Sequence, residues 1–176
     1  MRKLLLITIS LALLAVPATA QQVNLDFPGL AERADEVVDV TLDAAMLRLG
    51  SRFLSERDED QRAVRDIVKN LTGIYVRSYE FSKAGEYDAT LVDRVKSQLG
   101  PTWKALVTVR SKHKENVNIY ADMRGESVVG LVIISAEPRE FTIVNIVGPI
   151  DIDRLASLEG QFGIPRISKG KDKDHD

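Results

Sequence analysis

The chain has 176 residues, 24 Lys and Arg against 26 Asp and Glu, 44% hydrophobic residues and no Cys. That length and composition suit one globular domain able to bury its own core without disulfides or a structural metal. The near balance of charge disfavours bulk binding to nucleic acid, and the missing Cys excludes thiol catalysis, cysteine metal ligation and a lipid-bearing Cys anchor.

The first twenty residues have the order of a secretory leader. Arg2 and Lys3 form a charged end, Leu4 to Val16 is apolar apart from Thr8 and Ser10, and Ala18-Thr19-Ala20 supplies small residues for cleavage after Ala20. The apolar run is too short to cross a bilayer as a helix. The expectation is a periplasmic or secreted protein, with no transmembrane helix and a net acidic mature chain.

Downstream, Phe27-Pro28-Gly29-Leu30 opens one helical turn, and Val38, Val40 and Leu42 alternate with Asp39 and Thr41 as in a half-buried strand. Met46, Leu49, Phe53 and Leu54 recur at helical spacing and are assigned to the core, with Arg48 and Arg52 on the other side. A second helix is predicted from an Asp60 cap through the Ala63, Val64, Ile67, Val68 and Leu71 stripe to Gly73. Ile74 to Phe81 reads as a strand. Asp88 caps a third helix with the stripe Leu91, Val92, Val95 and Leu99, stopped by Gly100-Pro101.

From Trp103 the period becomes two. Trp103 to Ser111, Val117 to Met123, Ser127 to Ala136 and Phe141 to Val147 form a predicted four-stranded meander, separated by polar or Gly- and Pro-containing turns. Within Val117 to Met123, Asn118, Tyr120 and Asp122 share one side, which is read as the wet side. Ser127 to Ala136 is apolar almost throughout, as in a central strand covered on both faces by helices or by a second copy of the chain. A short fourth helix is predicted after an Asp151 cap, and Lys169 to Asp176 reads as a disordered charged tail. The fold class is therefore α+β: one domain over residues 21–168, a mainly antiparallel sheet with about four helices packed on it.

Residues able to carry chemistry are sparse. His113 lies in the Lys112 to Asn116 connection and His175 in the tail, so neither is placed for acid–base work, and no Ser sits in a Gly-x-Ser-x-Gly turn. Asp58-Glu59-Asp60 and Asp151/Asp153 are paired carboxylates, for which helix starts are the simpler explanation. Arg110, Lys112, His113 and Lys114 form a basic hairpin end that could meet an acidic partner, a phosphate or a lipid headgroup, but with Glu115 adjacent a solvated turn is the simpler reading. No phosphate loop, dinucleotide fingerprint or zinc spacing occurs, and no catalytic residue, metal or cofactor is expected. Tyr75, Arg77, Tyr79 and Phe81 share one strand face, an aromatic and cationic surface or part of the core.

The segments Gly73-Ile74-Tyr75-Val76-Arg77-Ser78-Tyr79-Glu80-Phe81 and Ile134 to Asp151, with Glu137-Pro138-Arg139-Glu140-Phe141 and Asn145-Ile146-Val147-Gly148-Pro149 inside the second, resemble the bacterial envelope proteins of domain-of-unknown-function family 4252. Leu158-Glu159-Gly160-Gln161-Phe162-Gly163 and Val40-Thr41-Leu42-Asp43 fit as well, so the resemblance runs from about Asp26 to Pro165. It implies export but brings no activity and no catalytic residues. Many members look like lipoproteins, from which this Cys-free chain departs. Proximity of members to extracytoplasmic sigma and anti-sigma factors implies a role in envelope signalling, by association rather than mechanism.

The leading expectation is an exported, non-enzymatic module that binds an envelope protein or a small ligand through its sheet surface, with a homodimer left open. Its candidate residues are Tyr75, Arg77, Tyr79, Arg139, Glu140 and Asn145. Asn145 stands in an otherwise apolar strand, so its amide is either bonded internally or presented to a ligand. The alternatives are a carboxylate- or metal-dependent hydrolase acting on envelope material, built on Asp151 and Asp153, and a carrier of a hydrophobic ligand held between sheet and helices.

Overall fold

Alternating apolar and polar residues give two strands, β1 (Glu36–Asp43) and β2 (Gly73–Glu80), in the computed structural model, which describes residues 22–88, 90–111 and 116–151. Between them lie two helices, α1 (Ala44–Ser51) and α2 (Glu59–Val68), and after β2 comes α3 (Thr90–Lys96). Four strands follow: β3 (Trp103–Val109), β4 (Asn116–Arg124), β5 (Ser127–Ala136) and β6 (Glu140–Ile150). The expected leader, the fourth helix, the charged tail, His113, His175 and Asp153 lie outside the described residues.

All six strands form one antiparallel sheet in the order β1-β2-β6-β5-β4-β3. The predicted meander is thus the larger part of a wider sheet, because β2 adds to the free side of β6 and carries β1 with it. Three helices, not about four, are present among the described residues. The second of them starts two residues earlier than expected: its cap is Asp58, which accepts a bond from the Gln61 N–H at 3.0 Å, so Asp60 is already helical.

Cross-strand partners share a face, and this divides the core in two. On the first face Tyr79, Phe141 and Ala136 line up across β2, β6 and β5, with Ile143 and Ile134 beside them. They pack beneath the extended segment carrying Val23, Leu25 and Phe27 and beneath Leu91 and Val95 of α3. On the second face Ile74, Ile146, Leu131 and Ala121 meet Leu47 of α1 and Leu71, just after α2.

Two sequence expectations fail here, each for a visible reason. Met46, Leu49 and Phe53 point outward, whereas Leu47 and Ser51 are the buried residues of α1. Asp43 ends β1 and caps α1 directly, accepting from Ala45 N and Met46 N at 2.8 Å, so the strand exit fixes the helix phase and selects Leu47 for the core. The polar side of β4 is also not wet. Asn118 and Asp122 are buried, because that side is the one the first core covers.

Candidate functional site

β3 and β4 diverge from α3 at the end of the sheet where β4 begins, and a groove of about 470 Å³ opens there. Tyr87, Val92 and Lys96 form one wall, Val109 and Arg110 the other, and Asn118 lies in the floor. β4 places Asn118 opposite Ile134 of β5 and Thr108 of β3, facing the helix layer. The residue is 6% exposed. Among the described residues no hydrogen bond reaches its amide, which keeps its remaining contact with the groove. Lys96 pairs with Asp93 at 3.6 Å, whereas Arg110 is exposed and makes no ion pair among the described residues.

The Tyr87 wall is held firmly. Its hydroxyl donates to the carbonyls of Glu137 and Glu140, the latter at 3.2 Å, and its ring packs 5.5 Å from Phe81 and 5.4 Å from Phe141. Burial, and then the charges of Glu137 and Glu140, push its ionisation up to about 12. Tyr79 is raised as well, mainly by burial. A raised phenol pKa favours the protonated fold, so this contribution is complete below the unfolded value near 10 and is lost as pH rises towards 12. Urea melts should therefore show stability falling between those pH values, and Tyr87→Phe should flatten that part of the profile.

The six residues singled out from sequence do not converge. Tyr75, Arg77, Tyr79 and Asn145 share the first face under the N-terminal segment. Tyr79 donates to Leu25 O at 3.3 Å, and Asn145 receives Val23 N–H at Oδ1 and donates to Leu131 O, both at 3.2 Å. Arg77 pairs with Asp39 across β1, and both line a small cleft of about 170 Å³ with Tyr75. Glu140 lies on the opposite face, accepting from Ser78 Oγ at 3.0 Å and Thr142 Oγ1 at 2.8 Å, and Arg139 is exposed in the turn before it.

Asn118 escaped the sequence reading. The usable signal was the one that drew attention to Asn145, a polar amide flanked by β-branched residues, here Val117 and Ile119. Asp122, between Ala121 and Met123, lacks that signal, yet it is fully buried beside Trp103 and Gly130 with no hydrogen bond to either carboxylate oxygen, and among the described residues its charge partner is Arg124 Nη2 at 3.5 Å.

A further groove, of about 580 Å³, brings Asp151 near Asp66 and Glu126 at the far end of the sheet. Among the described residues no three His, Cys, Asp or Glu side chains come close enough to hold a metal, and no helix is long and apolar enough to cross a membrane.

No curated protein and no solved structure matches the chain. A family model does match, over residues 32–158, which spans β1 to β6 and the Asn118 groove but leaves Val23, Leu25, Phe27 and Leu30 of the first core outside. The chain belongs to the family described as domain of unknown function DUF4252.

Proposed function

We propose that the protein is an exported, non-enzymatic binding module that holds a small amphiphilic anion in the groove between α3 and the β3–β4 strands. The observation that carries this reading is Asn118, a residue 6% exposed whose amide has no hydrogen bond among the described residues and opens onto a cleft. Its amide atoms still open onto the groove, so a bound molecule can reach them. A ligand carboxylate or carbonyl accepts from Nδ2.

Tyr87, Val92, Val109 and Pro138 supply apolar walls, and Arg110, which makes no ion pair among the described residues, supplies a positive charge beside the Lys96–Asp93 pair and Glu137. Binding is favoured over turnover because an amide has no proton to exchange near neutral pH. The leader-like Met1 to Ala20 segment supports export, and the family resemblance supports a place in envelope signalling.

Calorimetric titration with octanoate and with uncharged octanol tests the reading. Octanoate should bind wild type at least about tenfold more tightly than octanol does, a difference of about 1.4 kcal/mol. Asn118→Leu should lose at least about the same factor for octanoate while remaining folded. Equal octanoate affinity in wild type and Asn118→Leu would remove the groove from consideration.

A further inference from the structure

Helix α1 has an apolar side that the fold leaves unused. Met46 and Leu49 are 53% and 55% exposed on the side opposite the buried Leu47 and Ser51, and Phe53, in the turn that follows the helix, is 82% exposed. Arg48 and Arg52 flank this stripe, and Arg57 follows in the next connection. All three are exposed and make no ion pair among the described residues. The neighbouring Glu56 is taken by Arg65.

We propose that this face docks on an anionic lipid surface, with Leu49 and Phe53 entering the boundary between headgroups and acyl chains and the arginines meeting lipid phosphates. Apolar side chains projecting from one side of a helix with cations alongside suit interfacial binding. A second copy of the chain is disfavoured, since a symmetric α1–α1 contact would bring Arg48 and Arg52 against their own counterparts. A stable protein interface needs about 800 Å² from each partner, more than three convex side chains offer, whereas a bilayer accepts a small wedge assisted by charge. The two cores place α1 and α3 on opposite faces of the sheet, so docking leaves the Asn118 groove open.

The test is flotation of the processed protein, recovered after export and with its N-terminus read by mass spectrometry, with vesicles of phosphatidylcholine alone or containing about 30% phosphatidylglycerol. The protein should float with the anionic vesicles and not with the neutral ones, and high salt should release it. Leu49→Gln/Phe53→Ser and Arg48→Glu/Arg52→Glu should each weaken binding at least about tenfold. These are exposed positions, and thermal melts establish that the variants fold. In a separate Phe53→Trp variant, tryptophan emission should shift to the blue on anionic vesicles and not on neutral ones. Flotation unchanged in both double variants overturns the proposal, as does absence of flotation, including the case where the same stripe instead captures an acidic protein.

Discussion

Gly148→Ala should destabilise the protein by about 3 kcal/mol or more. Gly148 sits in β6 at φ 131°, a conformation that L side chains rarely adopt. An added Cβ would lie 2.8 Å from Leu71 Cα and 2.9 Å from Thr72 N. Both are backbone atoms of the short link between α2 and β2, so no side-chain rotation relieves the contact. Thr72 N–H and Thr72 Oγ1 also donate to Val147 O at 2.7 Å and 3.0 Å, which pins that link against β6. The melting temperature should fall by roughly 6–12 °C in a chain of this size, and the earliest loss of hydrogen-exchange protection should appear around residues 71–74.

Asn145→Leu is the second large effect, about 2–4 kcal/mol, from a different mechanism. Asn145 is fully buried, and its amide joins Val23 N–H on one side to Leu131 O on the other. Leucine leaves both groups without that bond in a region closed by Phe27, Tyr79 and Phe141. Phe27 is itself held edge-on to Phe141, with the Arg94 guanidinium 5.2 Å above its ring. Hydrogen exchange should therefore rise selectively over residues 23–30 as the N-terminal segment loosens, whereas the α2–β2 link keeps its protection. Loosening at residues 71–74 instead would contradict the role assigned to this amide.

β5 was legible because a run such as Val128 to Ile134, apolar at nearly every position, has few homes other than a central strand. The existence of β2 and β3 followed from β-branched and aromatic residues bounded by Gly and Pro, although β2 runs one residue earlier than expected and β3 ends two residues sooner. The phase of α1 was not legible. Residues 44–54 contain two apolar sets, and the larger one faces out, because the choice depended on where β1 released the chain. Burial of the Asn118 side of β4 was hidden for a related reason. Polar residues at alternate positions normally mark solvent, and only the first core, which covers that face, buries Asn118 and Asp122.

The candidate site suffered from the same limit. Asn145 was recognised as needing a partner and found two within the fold. Asn118 had the same local sequence and found none among the described residues. The flanking residues, Val before and Ile after each amide, do not separate the two, and the polar alternation of Asn118 with Tyr120 and Asp122 pointed the wrong way, towards solvent. The difference comes from the N-terminal segment, which closes over Asn145 but leaves the β3–β4 end open.

The most direct measurement is therefore an NMR titration of the two side-chain amides with octanoate. The Asn118 amide resonances should move in a saturable way, with the affinity found by calorimetry, while those of Asn145 stay in place. An Asn118 amide that does not respond, with perturbations confined to Met46, Leu49 and Phe53, would contradict the account by placing the bound anion on α1.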